Sequence, residues 1–219
     1  MTETTKPTLA ILGGTGKEGP GLALRWAKQG YKILIGSRKA DKAQATAAEL
    51  NEKLGIDTIE GDTNDAVARR ADISVLTVVQ WAHEDTVTGL KDALQGKILV
   101  DATARVEFKD PKPPTQPSAA RRAQTILGDG VRVAGAFQNT PAHSLKKNLG
   151  GDLDIDVLVC ADDMDAAEQT IALVQAAGMR GYYAGNLDNA IVMEGLTAIL
   201  IALNKHHKTR TASIRIAGL

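Results

Sequence analysis

Gly14, Gly16 and Gly19 stand in a G-x-G-x-x-G pattern between two kinds of sequence. Residues 8–12 before it form a short apolar run that reads as a strand. After it, Leu22, Ala23, Trp26 and Ala27 recur at helical spacing, and Gly30 supplies a stop. Each glycine has a reason in this setting. Gly14 permits a tight turn, Gly16 lets backbone approach a pyrophosphate, and Gly19 lets the helix pack close to the strand. The free N–H groups at the start of such a helix suit phosphate oxygens. A Gly-rich turn without a ligand is the bland alternative. The strand before the motif and the helix after it favour a dinucleotide.

The same alternation continues along the chain. Residues 32–35 read as a second strand closed by Gly36, and Ser37 is a possible cap for the next helix. That helix has a small inner face, Ala43, Ala47, Leu50 and Leu54, and ends at Gly55. Residues 58–60 form a short strand, and Asn64 is placed to cap a brief helix reaching Arg70. Residues 72–79 and 97–100 are further strands, the last ending at Asp101. The four prolines within 105–117 predict a surface loop. A helix over 118–127 and a strand over 131–137 follow. Then come a strand over 155–160, a helix over 164–177, a strand over 181–184 and a final helix over 189–206. Apolar strands alternating with helices predict an α/β protein with a Rossmann-type, doubly wound, mainly parallel sheet and a C-terminal helical extension. Residues 1–150 make the dinucleotide-binding part. Residues 151–219 extend the same compact unit.

The end of the second strand speaks to which dinucleotide is bound. An NAD site places an acid there to accept from the ribose hydroxyls. This chain has Gly36-Ser37-Arg38-Lys39, with no acid before Asp41. Arg38 suits a 2′-phosphate through charge-assisted hydrogen bonds, Ser37 offers a hydroxyl, and Lys42 lies one helical turn on. The bland alternative leaves Ser37 as a cap and Arg38 as a solvated charge. The pattern favours NADP(H). In an open α/β sheet the remaining contacts come from the carboxyl ends of the strands. The expected cofactor-binding set is therefore Gly14, Thr15, Gly16, Lys17, Glu18, Gly19, Ser37, Arg38, Lys42, Thr77, Val78, Val79, Ala102, Thr103 and Ala136. Gln138 to Pro141 are expected to wall a second-ligand crevice beside Val78, Val79, Ala102 and Thr103.

With these residues in place the chain resembles the NADPH-dependent reductases of coenzyme F-420. The resemblance spans nearly the whole chain. It is sharpest at Leu12-Gly13-Gly14-Thr15-Gly16 and Gly36-Ser37-Arg38, and weaker at Asp72 to Thr77, Thr140-Pro141-Ala142, Cys160 to Asp163 and Ala184 to Leu187. It implies NADP at the Gly-rich turn, with Thr15 and Gly16 at the pyrophosphate and Ser37, Arg38 and Lys42 at the 2′-phosphate. It also implies a deazaflavin laid over the nicotinamide, with hydride passing directly between the two rings. The chain departs from the family at two places. Val78-Val79-Gln80-Trp81 lacks a frequent Pro-Trp pair, and Gln138 stands where some members have His.

Other chemistries find less support. Lys plus Arg and Asp plus Glu each number 26, and aromatics are 3%, so a nucleic acid would meet neither excess charge nor stacking rings. No two of His83, His143, His206 and His207 have zinc-helix spacing, and Asp162-Asp163 reads as capping chemistry, so no metal is expected. Cys160 sits in an apolar run as a core thiol, which fits a reducing cytoplasm. The N-terminal residues lack a signal-peptide pattern, and the longest near-apolar stretch, 196–203, is short for a membrane span. No nucleophile–base pair stands out, and the catalytic residue is left unassigned with Gln138 and His143 as candidates. Lys146 and Lys147, with Arg121 and Arg122, are basic clusters that an acidic tail such as the polyglutamate of F-420 can use. Solvated surface charge is the bland alternative.

The leading expectation is a cytoplasmic oxidoreductase that moves a hydride between NADP(H) and F-420, with the C-terminal helix helping to form a homodimer. The alternatives are an NADPH-dependent reductase of a flavin or a small carbonyl or imine compound, and a non-catalytic NADP-binding redox sensor.

Overall fold

Strand β1 (Leu9–Leu12) is buried on both sides because its side chains alternate between two cores. Leu9 and Ile11 enter one, Ala10 and Leu12 the other. Strand β2 (Ile33–Ser37) repeats the pattern, with Ile33 and Ile35 on the first side and Leu34 on the second. The computed structural model describes residues 6–219; residues 1–5, which begin the segment lacking a signal-peptide pattern, lie outside the described residues.

The remaining strands are β3 (Ile59–Thr63), β4 (Ile73–Leu76), β5 (Ile98–Asp101), β6 (Arg132–Gly135), β7 (Asp156–Ala161) and β8 (Arg180–Tyr183). They form one sheet in the order β3-β2-β1-β4-β5-β6-β7-β8. Pairing is parallel from β3 through β6, β7 runs antiparallel to β6, and β8 is parallel to β7. Strand order reverses between β1 and β4. In an open α/β sheet that switch point opens a crevice at the carboxyl ends.

Helices cover both faces, as the doubly wound expectation requires. Helices α1 (Gly19–Lys28), α2 (Ala40–Leu54) and α7 (Met164–Ala176) close the first core with Trp26, Ala43, Ala47 and Leu173. On the other side α3 (Asn64–Arg70), α4 (Gln80–Gly89), α5 (Ala119–Leu127) and α8 (Ala190–His206) contribute Val67, Val87, Ala123 and Met193. A four-residue helix, α6 (Ala142–Leu145), sits against α1. The buried Arg25 of α1 ties together the end of α6, the segment after it and the end of α7 by donating to the carbonyls of Leu145, Lys147, Gly151 and Ala177.

Several boundaries differ from the sequence expectation for local reasons. Ser37 ends β2 and does not cap α2; its Oγ accepts only a long bond from Lys39 N–H at 3.4 Å. Thr63 and not Asn64 caps α3, its Oγ1 accepting from Ala66 N–H at 3.3 Å. Strand β4 stops at Leu76, where its partner β1 ends at Leu12; Thr77 gives both its N–H and its hydroxyl to the Leu12 carbonyl as the last link between them. Helix α4 carries no expectation from sequence: only His83 and Val87 of its ten residues are buried, so its apolar period is faint. Strand β6 stops at Gly135 and Phe137 takes φ +72. That conformation is rare for a bulky residue. Phe137 is held there as a buried ring packed edge-on against Trp26 at 5.9 Å, while Trp26 Nε1 donates to the Leu173 carbonyl at 2.8 Å.

The stretch Leu187–His206 is 20 residues of helix, apolar and long enough to cross a membrane by those measures, although residues 196–203 alone are too short. Within it Ala190, Met193 and Ala198 join the core, and the buried Glu194 carboxylate accepts from Ala119 N–H at 2.5 Å and Arg105 N–H at 3.1 Å. Those bonds tie the helix to the domain.

Candidate functional site

The turn after β1 is built from its glycines. Gly13, just before the motif, takes φ +70 and supplies the left-handed residue of the turn. Gly14 is needed for closeness instead, since a Cβ there would lie 2.6 Å from the Ile11 carbonyl oxygen. A Cβ on Gly19 would lie 2.7 Å from the Gly14 Cα, so this glycine does let α1 pack on the turn. Gly16 is different: its nearest neighbour would be the Gly13 carbonyl at 3.5 Å, an ordinary contact. Space beside Gly16 is therefore left open by the protein itself. Asn64 fixes the turn from the far side, its Oδ1 accepting from Gly13 N–H at 3.0 Å.

This turn opens onto a cleft of about 530 Å³ at the β1/β4 switch point. Gly13, Thr15 and Gly16 line it from β1, Ser37, Arg38, Lys39 and Lys42 from β2 and α2, and Thr77, Val78 and Val79 from β4. Asn64 and Thr86 complete it, and the sequence reading contained neither as a site residue. Three cations face the cleft at the β2 end, and among the described residues no carboxylate lines it.

Not every expected residue faces this cleft. Gly14 and Gly19 shape the turn from behind. Lys17 points to a separate pocket with His143 and Lys146. Ala102 and Ala136 are core residues, and Thr103 sits in a buried turn with its N–H on Asp101 Oδ1 at 2.9 Å, so these three back the site and do not line it. Glu18 is half-buried as a residue, but its Oε1 is shut off from solvent with no hydrogen-bond partner. Burial pushes its carboxyl up to about 8, so it is neutral at pH 7.

A smaller groove of about 220 Å³ lies at the segment after β6, lined by Gln138 to Ala142 with Thr197, Leu200 and Ile201 of α8. Gln138 donates its Nε2 to the Asp101 carbonyl at 2.8 Å, while its Oε1 is buried and unpartnered. Asn139 is held by the Met193 carbonyl at 2.8 Å and by Thr197 Oγ1 at 3.0 Å. Behind Gln138, His83 Nε2 meets Asp101 Oδ2 at 2.6 Å, both side chains buried. Burial works against the charged imidazole. The bond to Asp101 and the fields of Asp101, Glu194 and Glu84 outweigh it, so the His83 pKa is raised. The pairing leaves no local signal in the sequence, because the partner of His83 lies 18 residues away.

The remaining candidates separate cleanly. His143 is exposed on α6 beside the separate pocket, away from Gln138's buried amide. Asp163 caps α7, accepting from Ala166 N–H at 2.8 Å, as expected. Asp162 pairs with Arg121 at 2.7 Å. Arg121 also pairs with Asp188 and Arg122 with Glu84, so the Arg121–Arg122 cluster is consumed in ion pairs and is not free for an acidic tail. Cys160 is a core thiol, and burial pushes it up to about 11, which leaves it protonated and unreactive. Among the described residues no cluster of His, Cys, Asp or Glu is arranged to hold a metal.

Residues 8–105, which span the turn and the cleft, match the family described as "NADP oxidoreductase coenzyme F420-dependent". A Methanothermobacter thermautotrophicus protein named F420-dependent NADP reductase is 39% identical over 224 residues, covering 96% of this chain and 95% of that protein. A Methanocaldococcus jannaschii protein of the same name is 37% identical over 227 residues, covering 96% and 98%. The fold also superposes on a crystal structure of an Arthrobacter sp. FB24 protein with a TM-score of 0.80 at 23% identity, covering 97% of this chain and all of that one. Identity of this extent, together with a glycine turn and a cationic cleft where a dinucleotide would lie, makes the chain a member of the F420-dependent NADP oxidoreductase family.

Proposed function

We propose that the protein transfers a hydride between NADP(H) and F-420. The observation that carries this reading is the lining of the switch-point cleft. Arg38, Lys39 and Lys42 gather at its β2 end with the Ser37 hydroxyl and without a carboxylate, which suits a 2′-phosphate and disfavours two free ribose hydroxyls. Thr15, Gly16 and the start of α1 would hold the pyrophosphate. NADPH, when bound, supplies the hydride from its nicotinamide.

The chain's own residues bind, orient and exclude water. Val78 and Val79 give an apolar wall at the β4 end of the cleft. Gln138 has its amide NH₂ committed to Asp101, so its Oε1 is the atom left to accept from a ring N–H. Gln138 does not titrate, so a proton required by the reduced ring comes from solvent. This arrangement fits a reaction whose main demand is placing two rings within about 3–3.5 Å.

The test uses NADPH deuterated at C4 in separate pro-R and pro-S forms. Deuterium should reach C5 of F-420 from one form only. Transfer to a small carbonyl or imine compound, with none to F-420 or a flavin, overturns this reading.

Residues 1–150 carry the NADP-binding half and 151–219 extend the same unit. The solvent side of α8 presents Val192, Leu196, Ile199 and Leu203 at spacings of four, three and four, a seam suited to a second copy of the chain. A homodimer is the assembly proposed, and Ile199→Asp should shift sedimentation to the monomer. A protected, lone cysteine supports a cytoplasmic setting.

A further inference from the structure

The Gly-rich turn, α6 and the C-terminal segment enclose a pocket of about 610 Å³ outside the switch-point cleft. Lys17, Lys146 and Arg210 converge on it from three separate parts of the chain, with the exposed imidazole of His143 and the ring of Phe108 between them. Among the described residues no carboxylate lines it. Among the described residues none of the three cations forms an ion pair, although most arginines on the surface do. Like charges gathered without counter-charges repel one another, so the cluster is electrostatically incomplete.

The position of the pocket says what completes it. It shares Phe108, Ala142, Asn204 and Arg210 with the smaller groove that ends at Gln138. A ligand whose ring lies at Gln138 can therefore run a flexible chain along α8 into the cationic pocket. The 2′-phosphate of the dinucleotide has its own cations at Arg38, Lys39 and Lys42, in a different cleft. The geometry points to Lys17, Lys146 and Arg210 as the binding site for the anionic, carboxylate-bearing tail of the second substrate. This assignment rests on the reading that a deazaflavin occupies the Gln138 groove. It keeps Lys146 from the basic clusters read in the sequence and drops Arg121 and Arg122, whose charges are already paired.

The side chains of Lys146 and Arg210 are exposed and form no hydrogen bond among the described residues, so their removal should leave the fold intact. The double variant Lys146→Ala/Arg210→Ala is compared with the unaltered protein on three substrates: polyglutamylated F-420, the tail-less deazaflavin nucleoside, and NADPH. The tail assignment requires KM for the tailed substrate to rise roughly three- to thirtyfold, as expected for two partly screened charges, with kcat unchanged. KM for the tail-less compound and for NADPH should stay as they were, and the unaltered protein's preference for the tailed form should fade with added salt. An equal rise for the tail-less compound would place the ring in this pocket and overturn the assignment. A rise for NADPH alone would give the cations to the dinucleotide, and no change at all would make them solvated surface. Failure of the unaltered protein to reduce either deazaflavin would instead overturn the functional reading itself, before any variant is compared.

Discussion

Gln138 Nε2 donates to the backbone carbonyl of Asp101 at 2.8 Å. With Ala136 N–H, which donates to the same carbonyl at 3.2 Å, that bond joins the segment after β6 to the end of β5. It also sets the polarity of Gln138, because an amide whose NH₂ is committed has only its oxygen to offer. The Asp101 carboxylate is held in turn by His83 and by Thr103 N–H. The groove at Gln138 therefore rests on a buried polar lattice, while Phe137, at positive φ and locked against Trp26, sets the angle at which the segment leaves the sheet.

Arg38 should decide cofactor choice. It lines the cleft with Lys39 and Lys42 and has no ion-pair partner among the described residues. Arg38→Ala removes a charge-assisted contact of about 1.5–3 kcal/mol, or at least tenfold in NADPH affinity. NADH affinity should hardly move. Equal losses for both cofactors, measured by fluorescence titration, would assign Arg38 to the adenine or the fold.

The glycines of the turn should fail in different ways. Gly16→Val meets the protein only at ordinary contact distances, so the variant should fold normally and lose dinucleotide binding because its side chain fills the pyrophosphate gap. Gly19→Val drives its Cβ into the Gly14 backbone and should lower the melting temperature as well. Thermal melts beside NADPH titrations separate the two. An unstable Gly16→Val, or one that still binds NADPH, contradicts the reading.

What the sequence made legible is what lies close along the chain. The glycine turn, Ser37, Arg38 and Lys42 are each read from a window of a few residues, and the alternating apolar runs gave the doubly wound sheet. The supports of the site are non-local. Asn64 reaches Gly13 across 51 residues and Gln138 reaches Asp101 across 37, contacts that no periodicity encodes. The same blindness made Arg121 and Arg122 look available, since Asp162, Asp188 and Glu84 lie 38 to 67 positions away. Arg210 joins Lys17 only because the chain after α8 folds back toward the Gly-rich turn.

His83 should make stability fall as pH rises. Its folded pKa is above the ordinary histidine value, so its contribution is complete below that ordinary value and is lost as pH climbs through the raised one. Glu18 and Glu194, raised mainly by burial, act in the same direction. His83→Leu leaves the buried Asp101 carboxylate without its partner and should cost about 3–5 kcal/mol at pH 6. Urea melts from pH 5.5 to 8.5 should show a flatter profile for the variant. An unchanged slope would mean that His83 is neutral across the range.

Glu18 should tie NADPH affinity to pH. It immediately precedes α1, beside the turn that would meet the pyrophosphate, and it is neutral until pH approaches 8. Above that value a buried negative charge develops beside the turn that would meet an anionic ligand. The Kd for NADPH should therefore rise between pH 7 and 9, and Glu18→Gln should flatten the rise while leaving affinity at pH 7 nearly unchanged. A rise of the same size in Glu18→Gln would assign the effect to another group.

Gln138 should govern the second substrate and leave the first alone. Gln138→Leu removes both the bond to Asp101 and the oxygen left for a ring N–H. Loss of a neutral hydrogen bond costs about 0.5–1.5 kcal/mol, so KM for F-420 should rise by roughly two- to tenfold. The Kd for NADPH should stay put, because Gln138 does not line the dinucleotide cleft. Gln138→Glu separates orientation from size. It keeps the shape but sets a carboxylate oxygen against the Asp101 carbonyl, so at neutral pH it should destabilise the segment after β6. Protonation restores a donor, and the deficit should shrink as pH falls. Steady-state kinetics with F-420 and melts at pH 5.5 and 8 test both halves. A Gln138→Leu enzyme with normal KM for F-420 would show that the amide oxygen meets no substrate.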